Sequence, residues 1–261
     1  MKEKIERILI IGAGNVANHL AKSLSKNKSI VGIISKNKVS AKELALKINC
    51  PFINDLSSLP DCDLVLICTN DSSLAEIESQ MPLDYNIAYT SGSVELNKNS
   101  SRKNYGVFYP LQTFSKERNI EIENVPFLIE ATNKEFGQQL FELASEISNQ
   151  VSFNSSIERK KLHIAAIFVN NFTNHLAFLA KEYVDKNNLN WDYLKPLIEE
   201  TTNKIISNSS ENSQTGPARR NDQFIIEEHL SMLEGYPKEI YKVLSESIIH
   251  TYLKKTKNDK L

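Results

Sequence analysis

The chain has only three cysteines in 261 residues, Cys50, Cys62 and Cys68. Their odd number and irregular spacing exclude a disulfide framework or a zinc site as the organising device. A reducing, cytoplasmic location is the expectation that follows. Charge of one sign is also missing. Lys and Arg total 31 against 32 Asp and Glu, a net charge of -1, which gives no electrostatic hold on nucleic acid. The lysines near the carboxyl end, Lys254, Lys255, Lys257 and Lys260, read as a solvated helix end favoured by the helix dipole. Polar or charged residues interrupt every apolar stretch before membrane-spanning length, and the apolar part of MKEKIERILIIGAG is too short for a signal peptide. Internal repeats and long low-complexity linkers are absent. What remains is an ordinary globular composition, 41% hydrophobic, long enough for two domains.

The chain is organised around RILIIGAGNVANHL, Arg7 to Leu20. An apolar, β-branched run ends at Gly12, continues through Ala13, Gly14, Asn15 and Val16 to Ala17, and passes directly into helical spacing. A strand turning this tightly into a helix leaves its first backbone N–H groups aimed at one spot, where the helix dipole also favours an anion. Gly12 permits the turn, Gly14 lets a phosphate approach the backbone, and Ala17 lets the helix lie close on the sheet. The pattern marks residues 12–16 as a dinucleotide cradle. The bland alternative is a glycine-rich turn that binds nothing.

Further strands and helices alternate behind it, predicting an α/β fold with a mostly parallel sheet. SIVGIIS, from Ser29, is the second strand, and its end should select the cofactor. An NAD site places an acid there for the ribose 2′-hydroxyl, whereas a 2′-phosphate needs cations and hydroxyls. This chain has Ser35, Lys36, Asn37 and Lys38, with its first acid at Glu43, so NADP is expected in preference to NAD. DLVLICTND carries an apolar run typical of a strand buried on both faces. Its carboxyl end, Thr69, Asn70 and Asp71, should lie along the ligand crevice, although Asp71 and Ser72 could equally cap the following helix. After NIAYT, Ser91, Gly92 and Ser93 form either a substrate-facing loop or a simple turn. A helix from Lys134 to Ser148 closes this region, giving a first domain of residues 1–152 and a helical domain of 153–261.

The second part opens on a long helical pattern with a capping box, Ser155 and Glu158. At about 100° per residue, His163, Asn170 and Asn174 fall on one stripe. Their neighbours Ile164, Ala165, Ala166, Ile167, Phe168 and Val169 are expected to be largely buried, so the stripe needs partners from a pocket, another helix or a second subunit. His163 suits general acid catalysis near neutral pH. Three further helical patterns follow the polar loop of residues 208–221 or precede it. In that loop Arg219 and Arg220 could clamp a carboxylate or phosphate, or serve ion pairs only, with Asp222 at a helix terminus.

Taken together and in this order, GAGNVANHL, TSGSVE, YPLQTFSK, HIAAIFVNNFTNHL and TGPARRND resemble bacterial Rossmann-like NADP oxidoreductases with a carboxyl-terminal helical domain of unknown function. That family is similar to the group of 6-phosphogluconate dehydrogenase, β-hydroxyacid dehydrogenase and pyrroline-carboxylate reductase. The resemblance implies a helical domain that builds the active site and a homodimer. It places His163 and Asn170 where dehydrogenase relatives carry a lysine and an asparagine, with Lys160 or Lys161 nearby. Many relatives have histidine where this chain has Tyr109, so Tyr109 is given no acid–base role. The expected activity is hydride transfer between NADP and a C=O or C=N carbon of a small polar or acidic molecule. The rival is an NADP(H)-binding regulator or scaffold without turnover, and a deazaflavin-linked reductase is a third reading.

Overall fold

The computed structural model describes residues 4–207 and 213–258, apart from the side chains of 253–258. The expectations placed on the lysines at 254, 255, 257 and 260 and on residues 208–212 of the polar loop lie outside the described residues and side chains. Two compact units are formed, Met1–Phe172 and Thr173–Leu261.

The first unit is a seven-stranded sheet in the order β2-β1-β3-β4-β5-β6-β7. Its strands are β1 (Arg7–Ile11), β2 (Ser29–Ile34), β3 (Leu64–Ile67), β4 (Ile87–Tyr89), β5 (Tyr105–Pro110), β6 (Phe127–Ala131) and β7 (Val151–Phe153). All neighbouring pairs are parallel except β5 with β6. The run Leu64–Ile67 is buried throughout, as both faces of a parallel sheet must be covered. Helices α1 (Asn15–Leu24), α2 (Lys38–Lys47), α3 (Asp71–Gln80) and α4 (Lys134–Ser145) supply that cover. One core cluster includes Leu20, Leu44, Phe108, Phe136 and Leu140; the other includes Leu74, Ile77, Tyr89 and Val107. The chain passes from β1 out to β2 and returns to β3 on the other side, so the carboxyl ends of β1 and β3 flank the crevice characteristic of this topology.

The α/β architecture is the one the sequence predicts, with differences in detail. α4 ends at Ser145 rather than Ser148, and the freed residues lead into β7. β7 is three residues long, too short to declare itself by alternation. Helix α5 (Ser156–Ala166) opens on the expected capping box: Ser155 accepts from the Glu158 backbone, and Glu158 accepts from the Ser155 backbone. It passes into a π-helical segment, Ile167–Phe172. The wider π turn breaks the 3.6-residue phase on which the three-residue stripe was projected. His163 and Asn170 nevertheless line one cavity. Asn174 lies in the second unit and is exposed.

The apolar residues around them also differ from expectation. Within one chain Ile164 is 57% exposed, Phe168 62% and Val169 72%. In α5 only Arg159 is buried, and in the π segment none is, so the apolar side chains on both are left largely outward.

The second unit contains α6 (Thr173–Lys186), a 3-10 turn (Trp191–Leu194), α7 (Lys195–Ser207), α8 (Pro217–Arg220), α9 (Gln223–Ser231) and α10 (Gly235–Asn258). Asp222 caps α9, its carboxylate accepting from the Ile225 backbone at 3.3 Å. No helix among the described residues is long and apolar enough to cross a membrane.

Candidate functional site

The glycine turn does two different things. Gly12 has φ +123°, a left-handed conformation that L side chains rarely adopt, and a Cβ there would run into the carbonyl of Cys68, the residue after β3. Gly14 has ordinary backbone angles, and a Cβ there would meet nothing within 4 Å. It is therefore dispensable for packing and faces open space. Gly14 is also the N-cap of α1 and offers no capping side chain, leaving the first-turn N–H groups to a ligand. Asn18, which is buried, braces the turn from behind by donating to the carbonyls of Ala13 (3.2 Å) and Gly14 (3.0 Å).

Two cavities flank this turn within the first unit. The first, of about 540 Å³, is the crevice at the carboxyl ends of β1, β2 and β3. Gly12, Ala13, Gly14, Ser35, Lys36, Thr69 and Asn70, all expected at the cofactor, line it; Asp71, expected with them, does not. Thr69 Oγ1 is buried and has no hydrogen-bond partner among the described residues. An orphaned hydroxyl beside an uncapped helix end fits a dinucleotide that would supply the missing partners. Lys36 meets Glu76 of α3 at 2.8 Å, with both side chains exposed. An exposed pair of this kind is worth only about 0–1 kcal/mol, so Lys36 can leave it for a phosphate at little cost.

The second cavity, of about 760 Å³, lies between the segment after β5 and the helix of His163. Asn15 and Val16, expected with the cofactor group, line this cavity rather than the crevice. Asn15 donates to the Phe114 carbonyl at 2.8 Å, and His19 meets the Ser115 carbonyl at 2.9 Å. The segment after β5 is thus tied to the first helix. His163, Asn170 and Tyr109 of β5 share the lining of this cavity. The Tyr109 hydroxyl lies 3.0 Å from His163 Nδ1. That contact leaves Nε2 as the ring nitrogen available to a ligand. Burial raises the Tyr109 pKa and outweighs the opposing pull of the Arg159 charge, with Asp71 adding to the rise.

The loop after β4, expected to face the substrate, lines neither of these two cavities and instead backs His163 and Tyr109. Ser91 is buried and accepts from the backbones of Ser93 (3.2 Å) and Val94 (3.0 Å), so its hydroxyl shapes the loop. Ser93 donates to Asp71, which is the first residue of α3 and not its cap. Gly92 packs against the rings of His163 and Tyr109. In the second unit Arg219 and Arg220 are exposed on α8, with the Arg219 guanidinium 4.3 Å from the centroid of the Tyr252 ring.

Sequence reasoning withheld a role from Tyr109 and passed over Arg159 and Glu130. Arg159 opens the basic run Arg159, Lys160 and Lys161, and its spacing of one turn before His163 was the available signal. Glu130, inside a strand that is otherwise apolar, was its counterpart.

Comparison with known proteins bears on the family and the fold. Residues 6–84 match the "Oxidoreductase family, NAD-binding Rossmann fold", and residues 125–248 match the "Domain of unknown function (DUF2520)". The crystal structure of a Bacteroides fragilis protein described as "putative NADP oxidoreductase BF3122" is 39% identical, with a TM-score of 0.88, over 96% of this chain and 100% of that one. The chain belongs to that oxidoreductase family. Protein TM1727 from Thermotoga maritima shares the fold at 19% identity and a TM-score of 0.70, over 95% of this chain and 99% of its own. The 1-pyrroline-5-carboxylate reductase of Streptococcus pyogenes shares it at 14% identity and 0.61, over 94% and 97%. No curated protein matches the sequence. In this family member the Rossmann match covers the glycine turn and the ends of β1 to β3, whereas His163 and Asn170 fall within the DUF2520 match.

Proposed function

We propose that this family member is an NADP-dependent oxidoreductase that reduces, or in reverse forms, a C=O or C=N bond in a small polar or acidic molecule. The carrying observation is one cavity lined both by Asn15 and Val16 of the dinucleotide-turn helix and by His163 and Asn170. Bound NADP(H) supplies or accepts the hydride; the chain supplies position and proton. Gly12, Ala13, Gly14, Thr69 and Asn70 would hold the diphosphate, with Asp71 steadying the loop beside it. Ser35 and Lys36 would take the 2′-phosphate. His163 holds the transferable proton at Nε2 while Tyr109 engages Nδ1, and Asn170 orients the substrate heteroatom. Ser91, Gly92 and Ser93 would serve the substrate site indirectly, as the loop on which His163 and Tyr109 pack. Within the second unit Arg219 and Arg220 are the candidate ligands for an anionic group.

We further take residues 153–261 as the helical substrate and dimerisation domain of a cytoplasmic homodimer. The outward Ile164 and Val169 support this, because exposed apolar side chains in a row suit a subunit interface. Light scattering should give twice the chain mass, and Ile164→Glu with Val169→Glu should halve it.

The activity is tested by following NADPH absorbance against a panel of keto acids, aldehydes and cyclic imines. Turnover that His163→Ala abolishes while NADPH binding persists supports the reading. NADPH binding without turnover across the panel would favour a non-catalytic nucleotide sensor.

A further inference from the structure

Arg159 is fully buried, 0% exposed, in the first turns of α5. Its Nη1 donates to Glu130 Oε2 at 2.6 Å, and its Nη2 donates to the Val94 carbonyl at 2.6 Å. Ser156 donates to the same Glu130 oxygen at 2.6 Å, and its hydroxyl accepts from the Leu96 backbone at 2.9 Å. One buried cluster thus joins β6, the loop after β4, and α5. Those are the loop and helix that bring Gly92 and His163 together, on the sheet that carries Tyr109.

The register reinforces the link. Glu130 of β6 pairs with Val107 of β5, two residues before Tyr109. Cross-strand partners share a face and side chains alternate, so Glu130 and Tyr109 stand on the same face of the sheet. Arg159 precedes His163 by four residues, one turn, on the same face of α5. The ion pair therefore anchors the helix one turn from His163 and the sheet one strand from Tyr109.

A buried ion pair is a poor way to gain stability, because desolvation of the two charges consumes most of their attraction. Here the Arg159 Nε is also buried without a hydrogen-bond partner among the described residues. Hydrophobic packing would hold the helix as well, but it would not fix its register to one carboxylate oxygen and one carbonyl.

We propose that Arg159 and Glu130 are positioning residues, locking α5 and the 91–96 loop in the one register that places His163 Nδ1 on the Tyr109 hydroxyl. The inference rests on the reading above only in taking His163 as the proton-handling group. Its test needs no substrate. Ring nitrogen resonances of His163, assigned by their loss in His163→Asn, report its tautomer in the intact protein. Wild type should show one fixed tautomer. Arg159→Met combined with Glu130→Leu removes both charges at similar volume; it should fold and bind NADPH within twofold of wild type. Its His163 resonances should move to the tautomer mixture of free imidazole. Unchanged resonances in the folded double variant overturn the proposal. If that protein does not fold, Arg159→Lys carries the test, since it keeps the charge and loses the bond to Val94; there too, unchanged resonances overturn it. Glu130→Gln retains an acceptor and should keep the wild-type pattern. A Gln variant that behaves like the double variant would mean that charge, not hydrogen-bonded register, governs His163, and would also overturn it. Absent turnover in the substrate panel, with the resonances behaving as expected, would instead sink only the hydride-transfer reading.

Discussion

The Tyr109 hydroxyl and His163 Nδ1 meet at 3.0 Å across a space that only a glycine leaves open. A Cβ on Gly92 would sit 2.7 Å from that same Nδ1 and 2.7 Å from Tyr109 Cζ. The constraint is spatial, since Gly92 does not have a positive φ. Neither ring is the flexible end of a long side chain, so one of them must move.

Gly92→Ala is accordingly expected to separate the pair. Overpacking of this kind costs about 1–3 kcal/mol, visible as a lower midpoint in urea unfolding. Turnover should fall at least tenfold while calorimetry returns an NADPH affinity within threefold of the parent, because no Gly92 atom lines the crevice. An alanine variant with full turnover would show that the Tyr109–His163 contact is dispensable.

The Lys36–Glu76 pair predicts opposite effects for its two members. Replacing Lys36 by alanine removes the cation at the end of β2, and a lost charge-assisted hydrogen bond of about 1.5–3 kcal/mol should weaken NADPH tenfold or more relative to NADH. Glu76→Gln frees Lys36 from its partner at 2.8 Å and should tighten NADPH by up to about fivefold. Fluorescence titration with both reduced coenzymes checks this. Equal parent affinities for the two would remove the argument for 2′-phosphate recognition.

The crevice was legible in the sequence and the second cavity only in part, for a physical reason. Gly12, Gly14, Ser35 and Thr69 belong to strand ends, and strand ends converge by topology alone once the alternation of strands and helices is recognised. The Tyr109–His163 contact joins residues 54 positions apart through an exact helix register, which no local pattern encodes. Arg159 and Glu130 were missed because their signals lie 29 positions apart and no local pattern pairs them; their meaning is in being paired and dry. The burial expected of Ile164 and Val169 was read from their apolar chemistry alone, and both side chains are exposed. The π segment interrupted the helical phase just where Asn174 was aligned with His163.

The cysteines set an alkaline limit. Burial raises Cys68 from an ordinary value of 9.0 to about 12, with a hydrogen bond involving Thr90 opposing the shift, and burial takes Cys50 and Cys62 to about 11. These acids keep their protons longer folded than unfolded, so stability is fully present below pH 9 and falls as pH rises from there toward 12. Unfolding free energies from urea titrations should decline across that window. Cys68→Ala should be less stable at pH 7 through the lost packing, yet show a shallower decline. A slope unaltered by that substitution would mean that Cys68 does not contribute to the alkaline loss.

The two glycines of the first turn separate binding from folding. Gly12→Ala places a Cβ on the Cys68 carbonyl at a φ of +123°, so the variant must distort the β1–β3 junction and should lose both thermal stability and coenzyme binding. At Gly14 the backbone already suits alanine and the added methyl meets nothing within 4 Å, so Gly14→Ala should melt within about 2 °C of the parent. The same methyl would stand where a diphosphate must touch the main chain, and NADPH should bind at least tenfold more weakly. Calorimetry beside a melting curve reads the two effects separately. A Gly14→Ala protein that melts normally and binds NADPH as tightly as the parent would place the coenzyme somewhere other than this turn.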